Sequence, residues 1–226
     1  MLKVKKKLKI RPETKVKLSD ILYKAGVVLL ASSFLVFLVT FYPVITAELK
    51  YFILEPETEK PVVMNSGAIA EENKKKVIIV KDKKFGLVIP KIGANASVVH
   101  EVDPYNPVEY QKALTKGVAH ASGTAYPGQI GNVFIFSHSS EDFYRAKMFN
   151  SVFYLLHKVD NGDKVYLSHE NELYEYTVVE KKYVSKTDVD YLSAESSARQ
   201  VTLMTCWPPG TTLNRLILVA ELISIE

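Results

Sequence analysis

Residues 25–47 (AGVVLLASSFLVFLVTFYPVITA) contain no charged side chain, and this run constrains the chain more than any other feature. As a helix, a run of that length reaches about 34 Å, enough to cross a hydrocarbon core of about 30 Å. Phe41 and Tyr42 sit near one end, where amphipathic rings favour a membrane interface. Pro43 is so close to that end that it frees few backbone groups. A core helix of a soluble protein would show a polar face, and here only Ser32, Ser33 and Thr40 interrupt the apolar surface. A cleaved secretory signal has a shorter apolar stretch, about 7–15 residues, and Ile45-Thr46-Ala47 makes a poor small-residue cleavage site. The run reads as one membrane-spanning helix.

Charge supports this topology. Residues 1–24 hold nine basic side chains (Lys3, Lys5, Lys6, Lys7, Lys9, Arg11, Lys15, Lys17 and Lys24) against two acids, Glu13 and Asp20. That is a net +7 in a chain of net +4, which leaves −3 for everything else. Lysines before the apolar run and Glu48 after it place the N-terminus in the cytoplasm and the bulk outside. The basic excess belongs to a tail, and the mildly acidic remainder argues against a nucleic-acid face.

The organisation that follows is a basic tail (1–24), a transmembrane helix (25–47), an extended or partly helical stalk (48–76) and one domain (77–226). Glu55-Pro56-Glu57-Thr58-Glu59-Lys60-Pro61 and Glu71-Glu72-Asn73-Lys74-Lys75-Lys76 give the stalk its polar, linker-like character. The domain's length suits a single core. β-rich runs recur in it at 77–80, 85–92, 96–102, 131–139, 163–170, 172–185, 200–206 and 215–225, with turn signals such as Asn161-Gly162 between them. Helical patches lie at 107–116, with Pro107 at its start and Gly117 after its end, and at 151–157. So many short strands favour a closed barrel or a sandwich over a doubly wound sheet.

The chain has one cysteine, which excludes an intrachain disulfide. Cys206 ends the apolar run Val201-Thr202-Leu203-Met204-Thr205 and precedes Trp207-Pro208-Pro209-Gly210. It therefore stands at a strand end beside a loop, where a rigid scaffold can present a nucleophile. The plain alternative is a buried, inert thiol. A nucleophilic cysteine needs a proton-transfer partner, usually histidine. Of five histidines, His138 ends the apolar run Val133-Phe134-Ile135-Phe136 in a second strand-end position, and His120 is its rival. His157 and His169 read as solvated surface groups, and His100 reads as structural. Arg215 begins the last strand; a hairpin through residues 207–214 would bring its guanidinium toward the thiol, suited to an oxyanion or a substrate carbonyl.

These residues carry a family resemblance. Thr202-Leu203-Met204-Thr205-Cys206 followed by Arg215 resembles the T-L-x-T-C … R signature of sortases. Leu87-Val88-Ile89-Pro90-Lys91-Ile92 resembles the family's first-strand L-x-I-P-K-I, and Gly117-Val118-Ala119-His120 with Pro127-Gly128 … Gly131-Asn132 resembles the stretch that leads to its catalytic histidine. The likeness covers residues 85–222. One departure is Ser137, where many members have glycine before that histidine.

The resemblance implies a mainly β fold: an eight-stranded barrel with a few short helices, preceded by the transmembrane helix. It implies a bacterial cysteine transpeptidase that cleaves the Thr–Gly bond of an LPxTG-type sorting motif through a thioacyl enzyme. Secreted proteins bearing a C-terminal sorting signal would be the substrates. A peptidoglycan precursor or a pilin lysine would be the amine acceptor. Cys206 would attack, His138 would move protons, and Arg215 would steady the oxyanion, with the Trp207 backbone N–H as a further donor. Thr205, Trp207 and His120 are candidates for substrate binding, each with packing as the alternative. Residues 185–199 fall where the family has its recognition loop. No cofactor is expected; some members bind calcium, for which Glu101, Asp103 and Glu109 with Asp188 or Asp190 are candidate oxygens. Two other readings stand beside this one: a tethered β-domain that only binds a partner, and a Cys/His hydrolase.

Overall fold

The computed structural model describes residues 12–53, 78–139, 152–189, 191 and 196–226. The chain divides into two compact units, 1–42 and 43–226. Helix α1 (Pro12–Ile53) runs unbroken through the apolar stretch and past Pro43. Proline at its first position suits a helix start, since the missing N–H would have no partner there. Ser19–Tyr42 is long and apolar enough to cross a membrane by length and composition. The hydroxyls of Ser32 and Ser33 donate to the carbonyls of Leu29 and Leu30, 2.9 Å each, so neither presents an unmet donor to lipid. The first stalk residues, up to Ile53, continue the helix; 54–76 and the tail before residue 12 lie outside the described residues.

The second unit is a closed barrel. Its strands are β1 (Phe85–Ile89), β2 (Ala94–Val102), β3 (Val118–Ala121), β4 (Gly131–Phe136), β5 (Lys164–His169), β6 (Glu172–Ser185), β7 (Arg199–Trp207) and β8 (Asn214–Ile225), with α2 (Pro107–Leu114) between β2 and β3. The order around the barrel is β1-β2-β3-β4-β7-β8-β6-β5, with β5 paired back to β1. Only β2–β3 and β4–β7 run parallel. Short 3-10 turns lie at Pro90–Ile92 and Leu156–Lys158.

Strand alternation sorts the side chains into two buried layers. Leu87, Val118, Ile135, Leu167, Tyr176, Leu203 and Leu218, among others, fill the lumen. Phe134, Phe136, Ala119 and Ala121 face outward and are covered by Ala113 and Leu114 of α2. That helix starts where the sequence places it: Asn106 caps it by accepting the N–H of Glu109 at 3.3 Å, just before Pro107.

Two strand expectations change. Residues 78–80 form no strand; β1 is already paired on both sides. This stretch is instead clipped to β2 through Asn95, whose Nδ2 donates to the Ile79 carbonyl at 2.8 Å and whose Oδ1 accepts the Lys81 N–H at 2.9 Å. The eighth strand is β3, four residues entered directly from α2. Its entry explains Gly117: a Cβ there would collide with the Ser97 carbonyl of the neighbouring strand. Gly117→Ala should lower unfolding stability by about 1–3 kcal/mol through this overpacking, measurable by chemical denaturation; an unchanged midpoint would show that the two backbones separate without cost.

Candidate active site

The parallel pairing of β4 with β7 brings the strand ends together. Register is constant from Gly131↔Arg199 to Phe136↔Met204. Past the end of β4 the two chains stay bonded: the Ser137 N–H donates to the Met204 carbonyl at 3.1 Å, and the Thr205 hydroxyl donates to the Ser137 carbonyl at 2.9 Å. His138 therefore falls level with Cys206.

Alternation then decides the facing. Val201 and Leu203 point into the lumen, so Thr202, Met204 and Cys206 point outward. Val133 and Ile135 point inward, so Phe134 and Phe136 point outward, and His138 continues that outward series. Arg215 is the Cα partner of Cys206 across β7–β8, which puts it on the same face. His138, Cys206 and Arg215 thus form one row across three adjacent chains, with neighbouring chains about 4.8 Å apart. His138 is buried, and Cys206 and Arg215 are half-buried. The Arg215 Nη1 donates to the carbonyls of Thr212 (3.3 Å) and Asn214 (3.0 Å), which orients the guanidinium toward the loop that follows the cysteine. A thiol, an imidazole and a fixed cation in one row can attack a carbonyl, move a proton and balance an oxyanion.

The remaining candidates are placed differently. Thr205 is buried, and its hydroxyl is used by the Ser137 carbonyl, so it braces the histidine segment. The same bond gives Ser137 a role through its backbone. Trp207 packs against the lumen core at the barrel mouth, between His157 (ring centroids 5.1 Å) and Tyr183 (5.2 Å). His157 is therefore no solvated surface group. Its Nδ1 bonds the Tyr154 carbonyl at 3.1 Å, the His157 carbonyl accepts from Lys181 Nζ at 2.6 Å, and burial lowers the His157 pKa. Asn132 and Thr202 belong to the motifs quoted above, but their burial and their bond to each other were not read from the sequence.

His120 is fully buried on the lumen side of β3, the opposite face from Cys206. Its Nε2 lies 3.0 Å from the Ala125 carbonyl and 2.9 Å from the Thr124 hydroxyl, and its ring packs against Phe85 and Tyr126. Desolvation lowers its pKa from the ordinary 6.5.

The carboxylates considered for calcium are otherwise engaged. Glu101 accepts the Tyr126 hydroxyl at 2.8 Å, Glu109 accepts the Asp103 N–H at 3.1 Å, and Asp103 accepts the Tyr105 N–H at 2.8 Å. Asp190 lies outside the described residues, and among those described no three metal-ligating side chains converge.

A family model for the sortase domain matches residues 87–223. Sortase A of Listeria monocytogenes is 44% identical over 69 residues, 30% of this chain and 31% of that protein. Sortase D of Bacillus subtilis is 26% identical over 122 residues, 54% of this chain and 53% of that protein. The chain therefore spans about a third and about half of the curated relatives it matches. Among solved structures, Listeria monocytogenes sortase A superposes with a TM-score of 0.51 at 28% identity, over 64% of this chain and 90% of that one. The sortase D5 transpeptidase of Clostridium perfringens gives 0.51 at 26% identity, over 66% and 83%.

The burial of His120 has a consequence for pH. Its folded-state pKa is below the unfolded 6.5, so the unfolded chain binds the extra proton first. The stability from keeping this ring neutral is present above 6.5 and is lost as pH falls from there through the folded pKa. Thermal melts of the full chain from pH 7.5 to 5 should show a falling midpoint that flattens in His120→Gln; an equal slope in both proteins would contradict the assignment.

Proposed function

The chain belongs to the sortase family, and from that premise we propose that it is a membrane-anchored cysteine transpeptidase acting on proteins with an LPxTG-type sorting signal. The observation that carries this reading is the outward row of His138, Cys206 and Arg215 across β4, β7 and β8. The Cys206 thiolate attacks the threonine carbonyl carbon of the motif. Arg215 balances the charge that develops on the carbonyl oxygen, assisted by the backbone N–H of Trp207. The C–N bond breaks, and His138 gives its proton to the departing glycine amine. A thioester now holds the acyl group and conserves its reactivity, so an incoming amine can capture it without ATP. His138 takes the proton from that amine as the new amide forms and the thiolate leaves.

The acceptor is an amine at the cell surface, a peptidoglycan precursor or a pilin lysine. The absence of an evident aromatic-bearing Asp-Pro lid in the stalk sequence favours the first. The lysine-rich tail keeps the N-terminus in the cytoplasm, and the helix of residues 25–47 anchors a barrel that works outside. Residues 185–199, which fall where the family has its recognition loop, are assigned to reading the sorting signal.

The test uses the full-length chain in detergent with a quenched LPxTG-type peptide, with and without triglycine. Cleavage should rise with the amine and yield a ligated product. Cys206→Ala should abolish turnover, and Arg215→Ala should reduce kcat by about 10²–10³-fold, the range for loss of one oxyanion donor. His138→Ala should lose activity where His120→Ala keeps the chemical step. Turnover by Cys206→Ala would overturn the assignment, cleavage indifferent to amine would make the protein a hydrolase, and no cleavage of any motif would leave a binding module.

A further inference from the structure

Asn132 stands on β4 beside Gln200 of β7, and its side chain is 2% exposed. Its two ends reach two different parts of the barrel wall. The Thr202 hydroxyl, equally buried, donates to Asn132 Oδ1 at 2.8 Å. Asn132 Nδ2 donates to the backbone carbonyl of Tyr191 at 3.2 Å. Chemistry fixes this orientation: a carbonyl only accepts, so the amide nitrogen must face Tyr191, which leaves the amide oxygen for the hydroxyl.

Tyr191 belongs to the segment between β6 and β7 and, like Met204, packs against the outward cluster that contains Phe134 and Phe136. That cluster is the floor that continues along both strands to His138 and Cys206. Among the described residues, the ends of the segment are bonded near the strands by the Asp188 N–H to the Ser185 carbonyl (3.0 Å) and by the Gly131 N–H to the Ala198 carbonyl (2.9 Å), and Lys182 Nζ of β6 lies 5.8 Å from the centre of the Tyr191 ring. The Asn132 amide bonds it in between, directly above the floor.

We propose that Asn132 is a positioning residue, oriented by Thr202, that sets the height of the Tyr191 segment over the groove leading to the thiol. It acts through that segment and touches no reacting atom. The first threonine of Thr202-Leu203-Met204-Thr205-Cys206 then serves the substrate-reading segment, while the second braces the histidine. Losing the amide would move the segment and leave the barrel intact, because the Tyr191 carbonyl can turn to water whereas the strands keep their ladders. The substrate side of this inference rests on the sortase reading above; the structural side does not.

The experiment compares wild type, Asn132→Ala, Thr202→Val and Thr202→Ser as full-length chains in detergent. Hydrogen exchange read over residues 186–198 should accelerate about tenfold in Asn132→Ala and Thr202→Val, with β6 and β8 unchanged, and should be restored in Thr202→Ser. With a quenched LPxTG-type peptide, KM should rise about tenfold in the first two variants while kcat stays within about twofold. Alkylation of Cys206, the only cysteine, by iodoacetamide should keep its wild-type rate. Unchanged exchange in the segment, or faster exchange throughout the barrel, would overturn the proposal. So would a fall in kcat and alkylation with KM constant. If wild type cleaves no sorting peptide, the sortase reading fails, and the exchange result still decides the role of Asn132.

Discussion

The site depends on the parallel pairing of β4 with β7 and on its extension by one side chain. A ladder that ended at Phe136 would leave His138 on an untethered loop. The bond from the Thr205 hydroxyl to the Ser137 carbonyl carries the pairing one residue further, inside a buried environment where a made hydrogen bond is costly to break. The residue before the nucleophile thereby holds the residue before the histidine. From the other side, the β7–β8 hairpin sets Arg215 opposite Cys206 with no freedom of register. Cys206 and Arg215 share a hairpin, and the long-range pairing of β4 with β7 brings His138 beside them.

The two faces of β7 divide the labour. The lumen face holds Val201, Leu203, Thr205 and Trp207, which pack or brace; the outer face holds Thr202, which bonds Asn132, Met204, which packs on the outward cluster, and Cys206. A one-residue slip would exchange these sets, so the buried lumen protects the chemistry by penalising the slip. Rigid strands under the reacting groups suit a nucleophile that must meet a carbonyl within a narrow geometry. Tyr191, by contrast, is held to β4 by a side-chain amide, a weaker tie than a ladder.

Much of this was legible in the chain of letters because strand physics is periodic and local. Cys206 and His138 each close an apolar run just before a polar or Pro/Gly-rich stretch, and Arg215 opens the next one, so strand-end positions could be read directly. The number and spacing of short runs favoured a barrel or a sandwich, and the resemblance to sortases implied the barrel. Strand β3 escaped because four residues make no period. Residues 77–80 misled because an apolar β-branched run resembles a strand even where no free edge awaits it. His120 looked like a rival to His138 because nothing in one sequence tells which face of a short strand a side chain takes. The packing of His157 and the bonds of Asn132 were not legible for a related reason: their partners, Trp207, Thr202 and Tyr191, lie 50–70 residues away along the chain.

The central claim is that Cys206 carries the acyl group between two amines. Acid-quenching the full-length chain seconds after mixing with an LPxTG-type peptide, followed by mass analysis of the Cys206-containing fragment, tests it most directly. The account requires an added mass equal to the peptide through its threonine, on Cys206, that disappears when triglycine is supplied. Peptide turnover with Cys206 unmodified, or an adduct on another residue, would contradict it.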